Sequence, residues 1–250
     1  MKISAIILAK NEIDNIRDCI DNLSFCDEII VVDNGSTDNT EKIAESLGAK
    51  VFIDSTVNFS ESRNFGLKHA SFDWVLYIDA DERCDEVLKG EILKAVKNDN
   101  ISAYYLRRKN FYLGNYEWPY IEKMLRLFRK GNLKRWEGKI HETPIVEGKT
   151  AIFDGFLIHK THKNLESMVE KTAAWSSIEA ELRLRANHPK MSWWRFPRVM
   201  LSAFVNSYIL QGGYKARGTG LIESIYQAFS IFITYAKLWE FQNKKNEIIK

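Results

Sequence analysis

The first hundred residues switch repeatedly between two hydrophobic periods, and this alternation limits the possible folds more than any other feature. Residues 3–8 form an almost unbroken apolar run, as a strand does when both of its faces are covered. Ile13, Ile16, Ile20 and Leu23 then recur at helical spacing. A second buried strand is expected at 28–32, followed by a helix at 38–47 with Ser36 or Thr37 near its cap and Gly48 at its end. Strands at 50–53 and 74–78 and helices at 60–70 and 85–97 continue the pattern. Buried strands alternating with helices predict an α/β fold with a doubly wound, mostly parallel sheet.

After residue 100 the rhythm changes. Residues 102–111, 124–128 and 151–159 read as strands separated by polar or glycine-containing loops, and 165–185, 193–210 and 221–241 read as helices. The chain therefore divides at about 100 and 163, leaving a helical C-terminal extension over 164–250. The N-terminal apolar run is too short for a signal peptide. The longest uncharged stretch, 199–214, falls short of the ~20 apolar residues a spanning helix needs. Cys19, Cys26 and Cys84 form no C-x-x-C pair, so a disulfide framework is not expected and a reducing cytoplasm fits.

Charge is divided unevenly. Residues 1–100 carry 11 Lys and Arg against 20 Asp and Glu, while the other 150 carry 25 against 13. Between Glu181 and Glu223 there is no acid, but there are seven basic residues: Arg183, Arg185, Lys190, Arg195, Arg198, Lys215 and Arg217. A basic half expects anions. Trp193, Trp194 and Phe196 beside Arg195 and Arg198 suit the boundary of an anionic membrane. RNA is the other polyanion to weigh, but no RNA-binding motif is present and no nucleic-acid partner is expected.

In an open α/β sheet, ligands gather beyond the carboxyl ends of the strands. Three such ends are polar here: Ala9-Lys10-Asn11-Glu12, Asp33-Asn34-Gly35-Ser36-Thr37-Asp38 and Asp79-Ala80-Asp81-Glu82. One acidic strand end is ordinary helix capping. Three on one edge suggest a site, and Asp79 and Asp81 can share a hard cation, Mg²⁺ or Mn²⁺, that neutralises a diphosphate. Gly213 and Gly218 have P-loop spacing, but Thr219-Gly220 follows in place of Lys-Ser/Thr. No G-x-G-x-x-G follows the first strand, which argues against a dehydrogenase.

Taken in order, Leu8-Ala9-Lys10-Asn11-Glu12, Val32-Asp33-Asn34-Gly35-Ser36-Thr37-Asp38, Ser62-Arg63-Asn64-Phe65-Gly66 and Tyr77-Ile78-Asp79-Ala80-Asp81 resemble the family 2 inverting glycosyltransferases of GT-A fold. Met124-Leu125-Arg126-Leu127-Phe128, Lys139-Ile140-His141-Glu142 and the segment 218–221 look like the branch of bacterial lipopolysaccharide core glucosyltransferases. The resemblance implies a nucleotide-sugar-binding half over 1–100 and an acceptor-facing half over 101–163. It implies a UDP-sugar donor, with glucose as the sugar, and a lipid-linked glycan acceptor such as the lipopolysaccharide inner core. The protein would then act on the inner face of the cytoplasmic membrane, attached through residues 183–217.

Residue by residue, the resemblance sets Glu12 and Asp33 against ribose and base, with Arg63 and Asn64 lining the same pocket. Ala9, Asn11, Gly35, Ser36 and Ala80 complete it. Asp79 would face ribose or metal, and Asp81 would bind the metal. Arg63 has an equal alternative as a solvated helix residue. An inverting displacement needs a base for the acceptor hydroxyl. Glu142 is the choice, with Glu137 as rival and His141 as its neighbour or a metal-site contact. A strand-capping role is the other reading of His141 and Glu142. His159 and His162 either touch the diphosphate or are loop residues. Competing functions are transfer to a polyprenyl phosphate, a sugar nucleotidyltransferase, and a non-catalytic module that binds nucleotide sugar.

Overall fold

The computed structural model describes residues 1–247 except Ser55, Val57, Asn98, Asp99, Gly114, 139–141, His162 and Lys163, and it describes 245–247 by backbone only. Two compact units emerge, one formed by 1–109 with 121–159 and the other by 110–120 with 160–250.

The first unit is built on strands β1 (Ile3–Ala9), β2 (Glu28–Asp33), β3 (Lys50–Ile53), β4 (Trp74–Asp79), β5 (Glu82–Cys84), β6 (Ala103–Tyr112), β7 (Tyr116–Arg129) and β10 (Thr150–Lys160). They form one sheet in the order β3-β2-β1-β4-β7-β6-β10-β5. Pairings β3–β2, β2–β1 and β1–β4 are parallel, as the apolar runs predict. β7 runs antiparallel to β4, and β5 antiparallel to β10. Strands β8 (Leu133–Glu137) and β9 (Thr143–Val146) make a separate antiparallel pair.

Period-two alternation decides which residues face which layer. On one face Ile3, Ala5, Ile7, Val31, Trp74, Leu76 and Ile78 join residues of helices α1 (Ile16–Asn22), α2 (Thr40–Ser46) and α4 (Glu86–Ala95). On the other, Ile6, Leu8, Ile30, Val32, Val75 and Tyr77 meet Trp136 and helix α3 (Phe59–His69). Gly66 makes this close packing possible. A Cβ there would sit 2.7 Å from Ile6 Cγ2 and 3.1 Å from Val32 Cγ2.

The second unit contains α5 (Leu165–Arg185), α6 (Arg195–Val205) and α7 (Arg217–Glu247), together with the outer ends of β6 and β7. Asn164 caps α5 in a reciprocal bond pattern with Ser167. α6 continues into one π-helical turn, Asn206–Leu210. The Gly213-to-Gly220 segment with P-loop spacing is a short 3₁₀ turn leading into α7. A Cβ on Gly220 would strike the Gly213 carbonyl, so the chain crosses itself tightly there. Among the described residues no helix is long and apolar enough to cross a membrane.

Candidate active site

Register brings the polar strand ends together. Ala9 lies beside Asp33 across the β1–β2 pair, and Leu8 lies beside Asp79 across β1–β4. The parallel sheet therefore delivers both carboxylates to one edge.

Asp33 ends β2 and is 1% exposed. Its Oδ1 accepts the Ser36 amide at 2.6 Å, through a turn that Gly35 completes with φ +78. Its Oδ2 is buried and has no hydrogen-bond partner among the described residues. A buried carboxylate oxygen without a donor is costly, and it suits a ligand N–H. Asn11, itself at φ 55, fastens the neighbouring loop: its Oδ1 accepts the Thr37 amide at 2.7 Å, and its own amide donates to Ser36 Oγ at 2.9 Å. The Ala9 carbonyl accepts the Asn34 amide. Glu12 accepts Asn15 Nδ2 at 2.6 Å, and its amide donates to Thr40 Oγ1. The two loops thus form one braced wall around Asp33.

At the end of β4, Asp79 meets two guanidinium groups. Arg63 Nη2 donates to Oδ1 at 3.1 Å, and Arg126 Nη2 to Oδ2 at 2.8 Å. Burial alone would push this carboxyl up, but Arg126, Arg63 and Arg108 outweigh it and hold it well below the usual carboxylate range. Arg63 also reaches Glu142, with Nε at 3.0 Å and Nη2 at 2.9 Å from Oε1. Its guanidinium lies over the Trp136 ring at 5.0 Å and the Tyr77 ring at 5.7 Å. Arg63 is fully buried, so the solvated alternative is incorrect. Burial lowers its pKa, yet Asp79 and Glu142 more than compensate, and the net direction is upward.

The two rival carboxylates differ in surroundings. Glu142 is 16% exposed and joined to Arg63, whereas Glu137 is 48% exposed and paired with Arg135 at 2.5 Å. Asn64 ties two elements together. Its Nδ2 donates to the Trp136 carbonyl at 2.9 Å and its Oδ1 accepts the Trp136 amide at 2.8 Å. That two-point clasp fixes β8 to α3 and occupies both ends of the amide expected to line the pocket. Ala80 is buried, and its carbonyl accepts Arg83 Nη1 at 2.7 Å. His141 and His162 lie outside the described residues.

Asp81 sits in the turn between β4 and β5, and its Oδ2 is 3.2 Å from His159 Nε2 on β10. That is an ordinary hydrogen-bond distance, and it is also close to the ~3 Å between two cis ligands of an octahedral ion, so the same two side chains could hold a divalent cation in place of the shared proton. Asp79 does not fit as a direct ligand, because each of its oxygens already faces a guanidinium. Among the described residues, no group of three or more His, Cys, Asp or Glu is placed to hold a metal.

The charges that surround Asp79 were not foreseen from the sequence. Arg126 is buried on β7, and Arg108 on β6 donates to Glu82 at 2.9 Å and Glu122 at 2.5 Å. Glu82 in turn accepts the Asp79 amide at 2.9 Å. The available signal was a charged residue inside the apolar run Met124-Leu125-Arg126-Leu127-Phe128, since an arginine is rarely buried unless paired.

A family model described as Glycosyl transferase family 2 matches residues 4–160. An uncharacterized glycosyltransferase of Rickettsia typhi is 29% identical, over 99% of this chain and 90% of its own length. Another, from Rickettsia bellii, is 30% identical over 96% and 86%. The lipopolysaccharide core biosynthesis glycosyltransferase LpsC of Rhizobium meliloti is 27% identical over 96% and 93%. Among solved structures, S. aureus TarS 1–349 in complex with UDP aligns over 98% of this chain and 92% of its own, with 15% identity and a TM-score of 0.49.

Proposed function

The chain belongs to glycosyl transferase family 2, and we propose that it is a metal-dependent inverting enzyme moving a sugar from a UDP donor to a membrane-borne glycan. The observation that carries this reading is the bridge made by Arg63. One buried guanidinium holds both Asp79, at the donor edge of the sheet, and Glu142, the carboxylate suited to deprotonate an acceptor.

Asp33 receives the base, its bare Oδ2 accepting the uracil N–H. Asn11, Gly35 and Ser36 shape the wall that surrounds the nucleoside, with Ala9 and Glu12 beneath it. Asp79 faces the ribose and stays ionised throughout. Asp81 and His159 would hold Mg²⁺ or Mn²⁺, which when bound neutralises the charge of the leaving diphosphate. Glu142 takes the acceptor hydroxyl proton while the oxygen attacks the anomeric carbon from the face opposite the leaving group. One displacement inverts that carbon and needs no enzyme nucleophile. Arg63 orients Glu142 for this step.

A lipopolysaccharide core as the acceptor is supported by LpsC, whose name places that protein in core biosynthesis; glucose as the sugar rests on the sequence resemblance alone. A lipid-borne acceptor calls for membrane attachment at the cytoplasmic face. Of the seven basic residues in 183–217, Arg183 pairs with Glu179 and Arg185 with Glu181. Lys190, Arg195, Arg198, Lys215 and Arg217 have no carboxylate partner among the described residues and remain for anionic headgroups. Trp193 at 83% exposure and Leu210 at 73% add apolar contact. Phe196 instead packs inward against Ala180, Met191 and Leu238.

The test is product analysis with a panel of nucleotide sugars and lipid-linked acceptors. A new glycosidic bond of inverted configuration is expected. Pyrophosphate release with a new nucleotide sugar, or donor binding without turnover, would refute the assignment.

A further inference from the structure

The helical unit carries a solvent-open cleft of about 440 Å³, within the ~300–1,000 Å³ typical of small-molecule sites. Arg195, Arg198, His188 and Tyr235 line it, and Met191 and Ile231 add apolar surface. The chain is held in place to form it. Asn187 turns at φ 55 after α5, and Gln242 of α7 clamps the following segment, donating to the His188 carbonyl at 3.0 Å and accepting the Met191 amide at 2.9 Å. α6 then starts at Arg195, and Trp194 before it supplies no side-chain cap. The positive end of an 11-residue helix therefore coincides with two arginines.

Neither guanidinium meets a carboxylate among the described residues. Arg195 and Arg198 lie over the Trp194 ring instead, at 5.3 and 6.0 Å. Two unpaired arginines repel a cation, and a purely apolar ligand would leave them without a counter-charge. The combination fits an anion that has an uncharged body attached. Arginine forks match the oxygens of a phosphate.

We propose that this cavity is a phosphate-ester subsite: the phosphate sits on Arg195 and Arg198, and the esterified group lies against Met191 and Ile231. A phospholipid headgroup and a phosphorylated glycan share this chemistry. The site lies wholly within the helical unit, so it stands or falls independently of the transfer chemistry.

The experiment is a calorimetric titration of the full chain with short-chain phosphatidylglycerol below its micelle concentration, with glucose 1-phosphate and with inorganic phosphate. The same probes are run on Arg195→Gln/Arg198→Gln and on Ser202→Glu, which puts a fixed negative charge in the cavity wall while keeping both arginines. Thermal unfolding checks that each variant is folded. Saturable binding of at least one ester to the parent, weakened tenfold or more in both variants, is the expected result. Tighter binding of the lipid identifies a headgroup site, and tighter binding of the sugar phosphate a glycan site. If no ester binds the parent, or if both variants bind as well as it does, the proposal is overturned. Both variants leave the donor-binding unit unaltered, so only binding that they weaken is assigned to this site, and failure here leaves the transfer reading intact.

Discussion

Arg63 grips Glu142 by two nitrogens on a single oxygen, Nε at 3.0 Å and Nη2 at 2.9 Å from Oε1. The second carboxylate oxygen is not bonded to Arg63. A base must be oriented and still retain a lone pair for the incoming proton, and this one-oxygen contact allows both.

Glu142→Gln should therefore fold and bind donor normally but lose ~10²–10⁴-fold in kcat, the usual contribution of a general base. Glu137→Gln should lose far less, because Glu137 is exposed and tied only to Arg135. Steady-state rates at saturating substrate decide the matter. A larger loss in the Glu137 variant would make Glu137 the base.

Asp81→Ala should abolish both transfer and its dependence on added Mn²⁺, since His159 alone would be left to hold the ion. Titrating the parent and the variant with Mn²⁺ in the presence of UDP reads this directly. Near-normal turnover of the variant in excess chelator would remove the metal from the account.

Glu28 gives a pH test of stability far from the chemistry. Burial raises its pKa, but bonds from Lys50, Ser4 and Ser71 outweigh this and bring it to about 2, from about 4.5 when unfolded. A depressed carboxyl stabilises the fold above the unfolded value, and the effect fades as pH falls towards the folded value. Glu28→Gln should cost about 3 kcal/mol at pH 7, and the difference should close between about pH 4.5 and pH 2. Urea unfolding across that window should show it. A gap independent of pH would mean that Glu28 contributes through packing alone.

Attachment to lipid can be tested without touching the arginines. Replacing Trp193 and Leu210, the two most exposed large apolar residues among those described, with Ser should lower partitioning into anionic vesicles by ~10–100-fold, at about 1.5 kcal/mol or less per inserted side chain. Transfer to a soluble acceptor should persist. Unchanged vesicle sedimentation would show that these residues do not enter the membrane.

Much of the fold was legible because its strands are buried on both faces. β3 and α5 match their expected bounds, and β1, β2 and β4 each extend one residue beyond theirs, to Ala9, Asp33 and Asp79. At β2 and β4 the added residue is an aspartate, where the hydrophobic signal stops one position before the backbone pairing does; at β1 it is Ala9, just before the polar Lys10-Asn11-Glu12. β7 starts at Tyr116, well before the expected 124, because Glu117, Glu122 and Lys123 interrupt its apolar pattern. β5, β8 and β9 are too short or too exposed to show a period.

The candidate site was legible where neighbouring residues in sequence share one strand end, as in 33–38 and 79–82. It was not legible where partners come from distant strands. Nothing local to Arg108 indicates Glu82 or Glu122, and nothing local to Asn64 indicates the backbone of Trp136. These pairs exist only because β6, β7 and β8 fold back onto the parallel core.

The measurement that bears most directly on the central claim is the affinity of UDP for the parent and for Asp33→Ala by isothermal titration. A hydrogen bond to a charged group contributes ~1.5–3 kcal/mol, so the variant should bind UDP roughly 10–150-fold more weakly. Binding by the parent with that loss in the variant is the predicted result. Equal affinity in the two proteins, or no binding of UDP to the parent, would contradict a uridine donor seated on Asp33.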